Sequence, residues 1–224
     1  FVGLLASGMR VGQFNRFSGY LESHLIGDPT FHFKSNSSLP FDINEAITLH
    51  HKDTRFWKAK LNSTLPDVSA MALRQLQWAG AHDVVNILKD AYLKSNAFVV
   101  RMEAIKLLAL FHPLESVSLL PKALNDSYEL VRRLSMAYAQ RNGDPQLIPA
   151  VVKTYLQRGQ EQRFSFHVLT GIDAFNPDLV QQELKKQSSQ LQLYSDTISD
   201  RLAKRLQSVK ADQAEALHVI NNTT

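Results

Sequence analysis

The sequence contains no cysteine. That excludes disulfides, thiolate metal sites, iron–sulfur clusters and a cysteine nucleophile within this stretch. No apolar run reaches the roughly 18 residues that a membrane-crossing helix needs. The 9 glycines are scattered and form neither a Gly-x-Gly-x-x-Gly fingerprint nor a phosphate loop. A Gly-x-Ser-x-Gly elbow is absent too, so serine hydrolase chemistry lacks its usual carrier. None of the 8 histidines lies four residues from another, the spacing that sets two imidazoles on one helix face for a metal. Neither a cofactor nor a metal is expected, and no catalytic residue is defined.

Charge of one sign is also missing as a block. Against 21 acidic side chains stand 25 Lys and Arg, a formal net charge of +4, but the excess is spread thinly along the chain. A nucleic-acid binder usually gathers its basic residues on one face, so dispersed charge argues against that class of partner. The hydrophobic share of 44% suits a folded core rather than a disordered chain.

What is present is helical punctuation. From Thr54 onward, apolar residues recur at three- and four-residue spacing, as at Leu73 and Leu76 or Val84, Ile87 and Leu88. Short breaks separate these segments at 62–66, 78–83, 95–98, 111–115, 125–127, 142–146, 158–162 and 175–178. They carry Gly, Pro, Asn and Asp, which stop one helix and cap the next. An internal repeat is visible. Arg101, Arg132 and Arg163 follow one another at intervals of 31 residues, and Val68, Ala72 and Leu76 anticipate Val100, Ala104 and Leu108. Small Ala72, Ala104 and Ser135 share one slot, where two helices must approach closely. Gly80-Ala81-His82-Asp83 falls where Gly143-Asp144-Pro145-Gln146 falls in a later unit.

A helix opening Asp-x-x-x-x-Val-Arg-x-x-(Ala/Ser), a Gly-Asp turn and a second helix resembles HEAT repeats, particularly the short bacterial form. The unit from Asp126 to Val151 carries the pattern most fully, and the resemblance covers about residues 65–187. Ser69 replaces the arginine in the first unit, and the fourth lacks the valine before Arg163. The resemblance implies an all-α fold, a right-handed α-solenoid of helix pairs spanning 41–187. Arg101, Arg132 and Arg163 are then either an interaction face or a ladder that ties each unit to a neighbouring turn. Residues 188–224 read as a C-terminal capping helix, with Ile198, Leu202, Leu206 and Val209 as its apolar stripe.

Residues 1–40 differ in kind. A helical stretch is followed by a Gly27-Asp28-Pro29-Thr30 turn and by Phe31-His32-Phe33, which reads as a short strand. The run Leu25–Phe31 resembles the closing segment of gingipain-like cysteine peptidase domains of caspase-type fold. That resemblance implies the tail of an upstream α/β domain, with any catalytic Cys and His before Phe1, and an extracytoplasmic, envelope-associated setting. The non-methionine start and apolar Phe1–Ser7 likewise read as part of a longer polypeptide. The expected function is a non-catalytic scaffold or protein-interaction module, its partner a protein or an upstream domain of the same polypeptide. The alternatives are a regulatory tail of a gingipain-like peptidase, or a nucleic-acid-binding solenoid similar to HEAT-like alkylpurine DNA glycosylases.

Overall fold

The structure, a computed structural model, describes residues 2–17, 27–34, 39–190 and 196–223. All regular structure among them is helical: α1 Val2–Ala6, α2 Val11–Arg16, α3 Ile43–Leu49, α4 Thr54–Lys58, α5 Pro66–Trp78, α6 Val84–Lys94 and α7 Phe98–Phe111. These are followed by α8 Pro113–Ser116, α9 Leu120–Ala123, α10 Glu129–Asn142, α11 Ile148–Arg158, α12 Gln162–Gly171, α13 Pro177–Gln190 and α14 Asp196–Thr223. The chain divides into two compact units, 1–107 and 108–224.

Local chemistry explains where the helices begin and end. Asp42 accepts hydrogen bonds from the Asn44 and Glu45 amides at the start of α3 (2.7 and 3.3 Å), and Asp53 caps α4 through the Phe56 amide. Asn176 accepts from the Asp178 and Leu179 amides in the same way. Gly143 closes α10 in the left-handed region at φ 68°, and Gly80 adopts φ 67° after α5. His112, 32 residues after Gly80 and 31 before Gly143, holds the matching place after α7, with φ −136°.

Within the first unit, α5 is the central helix. Nine consecutive residues, Val68 to Leu76, are buried, so the helix is enclosed on every side. It packs against α1, α4 and α6. The amino-terminal segment is therefore part of this unit's core: Leu4 and Met9 are fully buried. In the second unit α10 packs on α12 and on α9, and α11 packs on α13. In addition, α11 packs on α12 and α13 on α14.

A buried register recurs through both units. The third residue of α5, α7, α10 and α12 is Val68, Val100, Val131 or Phe164, and the seventh is Ala72, Ala104, Ser135 or Val168; all eight are buried. Val84, Leu88 and Tyr92 on α6 return as Leu147, Val151 and Tyr155 at the start of and along α11. The intermediate set Ser116, Leu120 and Leu124 is also buried, although Pro121 divides that stretch into α8 and α9. A proline inside a helix removes an amide donor and clashes with the preceding turn.

Two expectations are corrected here. Phe31–Phe33 is not a strand; both rings are exposed and meet edge to face. The Val11 and Gly12 amides, otherwise unpaired at the start of α2, donate to the Phe31 and Pro29 carbonyls (both 2.9 Å), so this chain caps a helix instead of joining a sheet. The Gly27–Thr30 turn does form, held by Asp28 accepting from the Thr30 amide at 2.8 Å. The preceding Leu25 and Ile26 lie outside the described residues. The uniform 31-residue interval also fails at the last unit. Its core register is offset by 33, which moves Arg163 out of phase. On α14, Ile198, Leu202, Leu206 and Val209 are buried, whereas Ala211 to Asn221 are exposed, so the buried stripe lies in the first half of this helix.

Candidate functional site

The arginine series is the natural starting point. Ser63, Ser95 and Asp126 each open a turn before a first helix, accepting on the side chain from the Leu65, Ala97 and Tyr128 amides (3.2, 3.2 and 2.9 Å). Six residues later a side chain donates back to the carbonyl of the same residue. Ser69 Oγ reaches Ser63 at 3.5 Å, Arg101 Nη1 reaches Ser95 at 3.2 Å and Arg132 Nη1 reaches Asp126 at 2.7 Å. The two arginines add the Asn96 and Ser127 carbonyls at 2.9 and 3.1 Å. Carbonyls of a turn wedged between helices have no ladder partner, and a guanidinium satisfies two of them at once.

Arg132 continues into an ion pair with Glu161 at 2.6 Å, and Arg158 meets the other Glu161 oxygen at 3.1 Å. Burial raises the Glu161 carboxyl, but the hydrogen bonds and charges of Arg132 and Arg158 outweigh it and hold the group below its ordinary value. Arg163 is not brought to this cluster. It is the second residue of α12 and exposed, and Ser165 occupies the position that Arg101 and Arg132 hold in their own helices.

The periodic pattern gave no hint of Arg74. It forms a buried bidentate pair with Glu103, Nε to Oε1 at 2.6 Å and Nη2 to Oε2 at 2.8 Å, with both side chains under a tenth exposed. Its Nη1 donates to the Phe17 carbonyl at 3.2 Å, and its guanidinium lies 5.7 Å from the Phe17 ring and 5.9 Å from the Trp78 ring. Beside the pair, burial lowers the Lys106 ammonium below its ordinary value; Glu103 pulls the other way and Arg74 adds to the lowering.

Two concavities of the first unit bear on function. The larger, about 580 Å³, runs between α4, α5, α6 and the start of α7. Leu73, Ile87 and Val100 line it, and the tie residues Ser63, Ser69 and Ser95 form one wall. On its border Lys58 pairs with Asp83 at 2.7 Å and Lys94 with Asp90 at 2.8 Å, so both charge signs edge an apolar surface. The smaller, about 400 Å³, lies between α2, α3 and α5.

Among the described residues no group of three or more His, Asp or Glu side chains is arranged to hold a metal ion. No described helix is long and apolar enough to cross a membrane. No family model matches the chain, and neither a curated protein nor a solved structure matches it.

Proposed function

We propose that the chain is a non-catalytic helical-repeat module that binds a segment of a protein partner in the larger groove of its first unit. In this reading the helix pairs stack as a right-handed solenoid related to HEAT repeats. Arg101 and Arg132 are structural ties of that stack rather than a ligand face. The observation that carries the proposal is the groove of about 580 Å³, an apolar surface edged by two ion pairs and walled by the tie residues themselves. Such a surface buries apolar side chains of a peptide while offering donors and acceptors to its backbone. The recurring tie gives that wall a fixed geometry, which limits the ordering cost of binding.

The test is selection of peptides from a random library against the intact chain, followed by affinity measurement on purified variants. Enriched peptides should share a motif and lose at least about tenfold in affinity on Ile87→Asp or Ala91→Arg, with the thermal transition retained. Peptides that bind these variants as tightly as the parent, or a selection without enrichment, would remove the groove from consideration.

A further inference from the structure

The smaller cavity has a different character from the groove, and nothing so far assigns it a role. Arg16 at the end of α2 and His51 and Lys52 just after α3 bring three basic side chains to its lining, and no acidic residue lines it. Among the described residues neither Arg16 nor Lys52 has an ion-pair partner. The His51 Nδ1–H donates to the Thr48 carbonyl at 2.9 Å, since a carbonyl can only accept, and this fixes the ring. Dispersed in the sequence, these charges are gathered here by the fold.

Beside them stand two aromatic rings. Phe17 and Trp78 stack with centroids 5.6 Å apart and planes within 16°, and the Arg74 guanidinium, itself held by Glu103, braces the pair. Trp78 is nevertheless 53% exposed, a large apolar surface left at the mouth of a basic pocket. The third component is Gln75. It is 1% exposed and lines the same cavity; among the described residues its buried Oε1 has no hydrogen-bond partner and its Nε2 meets the Met71 sulfur at 3.6 Å. A buried amide oxygen without a donor is costly and asks for one.

We propose that this pocket binds an adenine nucleotide, the aminopurine ring lying against Trp78, its amino group donating to Gln75 Oε1 once that buried amide turns toward the cavity, and its phosphate meeting Arg16 and Lys52. Each part of the ligand answers one part of the site. A planar heteroaromatic ring uses an exposed indole. The glutamine amide is the side chain that pairs with the amino edge of adenine. A phosphate supplies a counter-charge to Arg16 and Lys52, which have no ion-pair partner among the described residues. The cavity of about 400 Å³ is of small-molecule size. The ligand is either a free mononucleotide or a residue of a single strand, and the two sources share this chemistry.

Tryptophan emission reads the site directly. The chain has 2 tryptophans, and Trp57 is fully buried with its Nε1 donating to the His50 carbonyl at 2.7 Å. A ligand stacked on Trp78 therefore quenches mainly one emitter, and the signal survives in Trp57→Phe. Adenosine monophosphate and a short oligoadenylate are titrated against the intact chain. Purine riboside monophosphate, which lacks the amino group, and adenosine, which lacks the phosphate, serve as comparisons. The proposal expects saturable quenching, weakened by salt, with each comparison ligand at least about tenfold weaker.

Lys52→Glu at an exposed position should reduce affinity at least about tenfold without changing the thermal transition. Gln75→Leu should abolish the preference for the amino group. If the mononucleotide binds alone, the source is the free nucleotide; if only the oligonucleotide binds, it is the strand. Absence of quenching by both at about 10 mM, or equal affinity of parent, Lys52→Glu and Gln75→Leu chains, overturns the assignment.

Discussion

Replacing Glu103 by alanine is the most demanding test of the first unit. It leaves the Arg74 guanidinium in place, about 5% exposed, with Nε and Nη2 stripped of their carboxylate and the Phe17 carbonyl still accepting from Nη1. A buried charge stripped of its partner costs about 3–5 kcal/mol, whereas replacing both partners by apolar side chains of similar volume is often neutral. Glu103→Ala should therefore destabilise by about 3–5 kcal/mol, and for a chain of this length that lowers Tm by about 10 °C. Arg74→Met/Glu103→Leu should recover most of the loss, less whatever the Phe17 hydrogen bond and the Phe17–Trp78 stack contribute. The exposed Lys94–Asp90 pair, four residues apart on α6, serves as control; Asp90→Ala should cost about 0.3–0.5 kcal/mol. Denaturant unfolding followed by circular dichroism gives each value, and Arg74→Met and Glu103→Leu singly, with the double variant and the parent, close a cycle. A Glu103→Ala loss below about 1 kcal/mol would falsify the reading of Arg74–Glu103 as a desolvated pair, as would a double variant no more stable than Glu103→Ala.

The remaining predictions concern the repeated register and its ties. Ala104→Leu forces a larger side chain into a fully buried slot and should cost about 1–3 kcal/mol in equilibrium unfolding, whereas exposed Ala214→Leu should be neutral. Gly143→Ala, at φ 68°, should cost about 1–2 kcal/mol, and Gly143→Asn distinctly less. Glu161 has a folded pKa below its unfolded value, so its contribution is complete above the unfolded value of about 4.3 and disappears as pH falls through the lower folded value. Glu161→Gln should therefore lose stability at neutral pH and show a flatter decline below about pH 4.3 than the parent, measured by unfolding at a series of pH values. Leu202→Ala should cost about 2–5 kcal/mol and speed amide exchange in 196–209, leaving 211–221 as it was.

The amino-acid sequence by itself determined much of this protein's local structure. Helical period, the capping residues Asp42, Asp53, Asp144 and Asn176, and the left-handed glycines 80 and 143 act within a few residues of chain. The stripe Ile198, Leu202, Leu206 and Val209 was legible for the same reason, since spacing alone places those side chains on one face. The small-residue slot at 72, 104 and 135 was legible because its period is the fold's own.

Tertiary structure decided the rest. Two more residues separate the buried Tyr155 and Phe164 than separate Leu124 and Val131, so a strict 31-residue step lands about 200° around α12 from the tie position, and Arg163 falls on the surface. Phe31–Phe33 alternates like a strand, yet a strand exists only where another offers its edge, and here the nearest unpaired amides belong to α2. Arg74 and Glu103 lie 29 residues apart, and nothing in either one's local pattern names the other. The same holds for Arg16, His51, Lys52, Gln75 and Trp78, which come from three helices and their ends. Periodicity carries which face of a helix is buried; which side chains meet across that face depends on the rotational phase that each connecting turn sets.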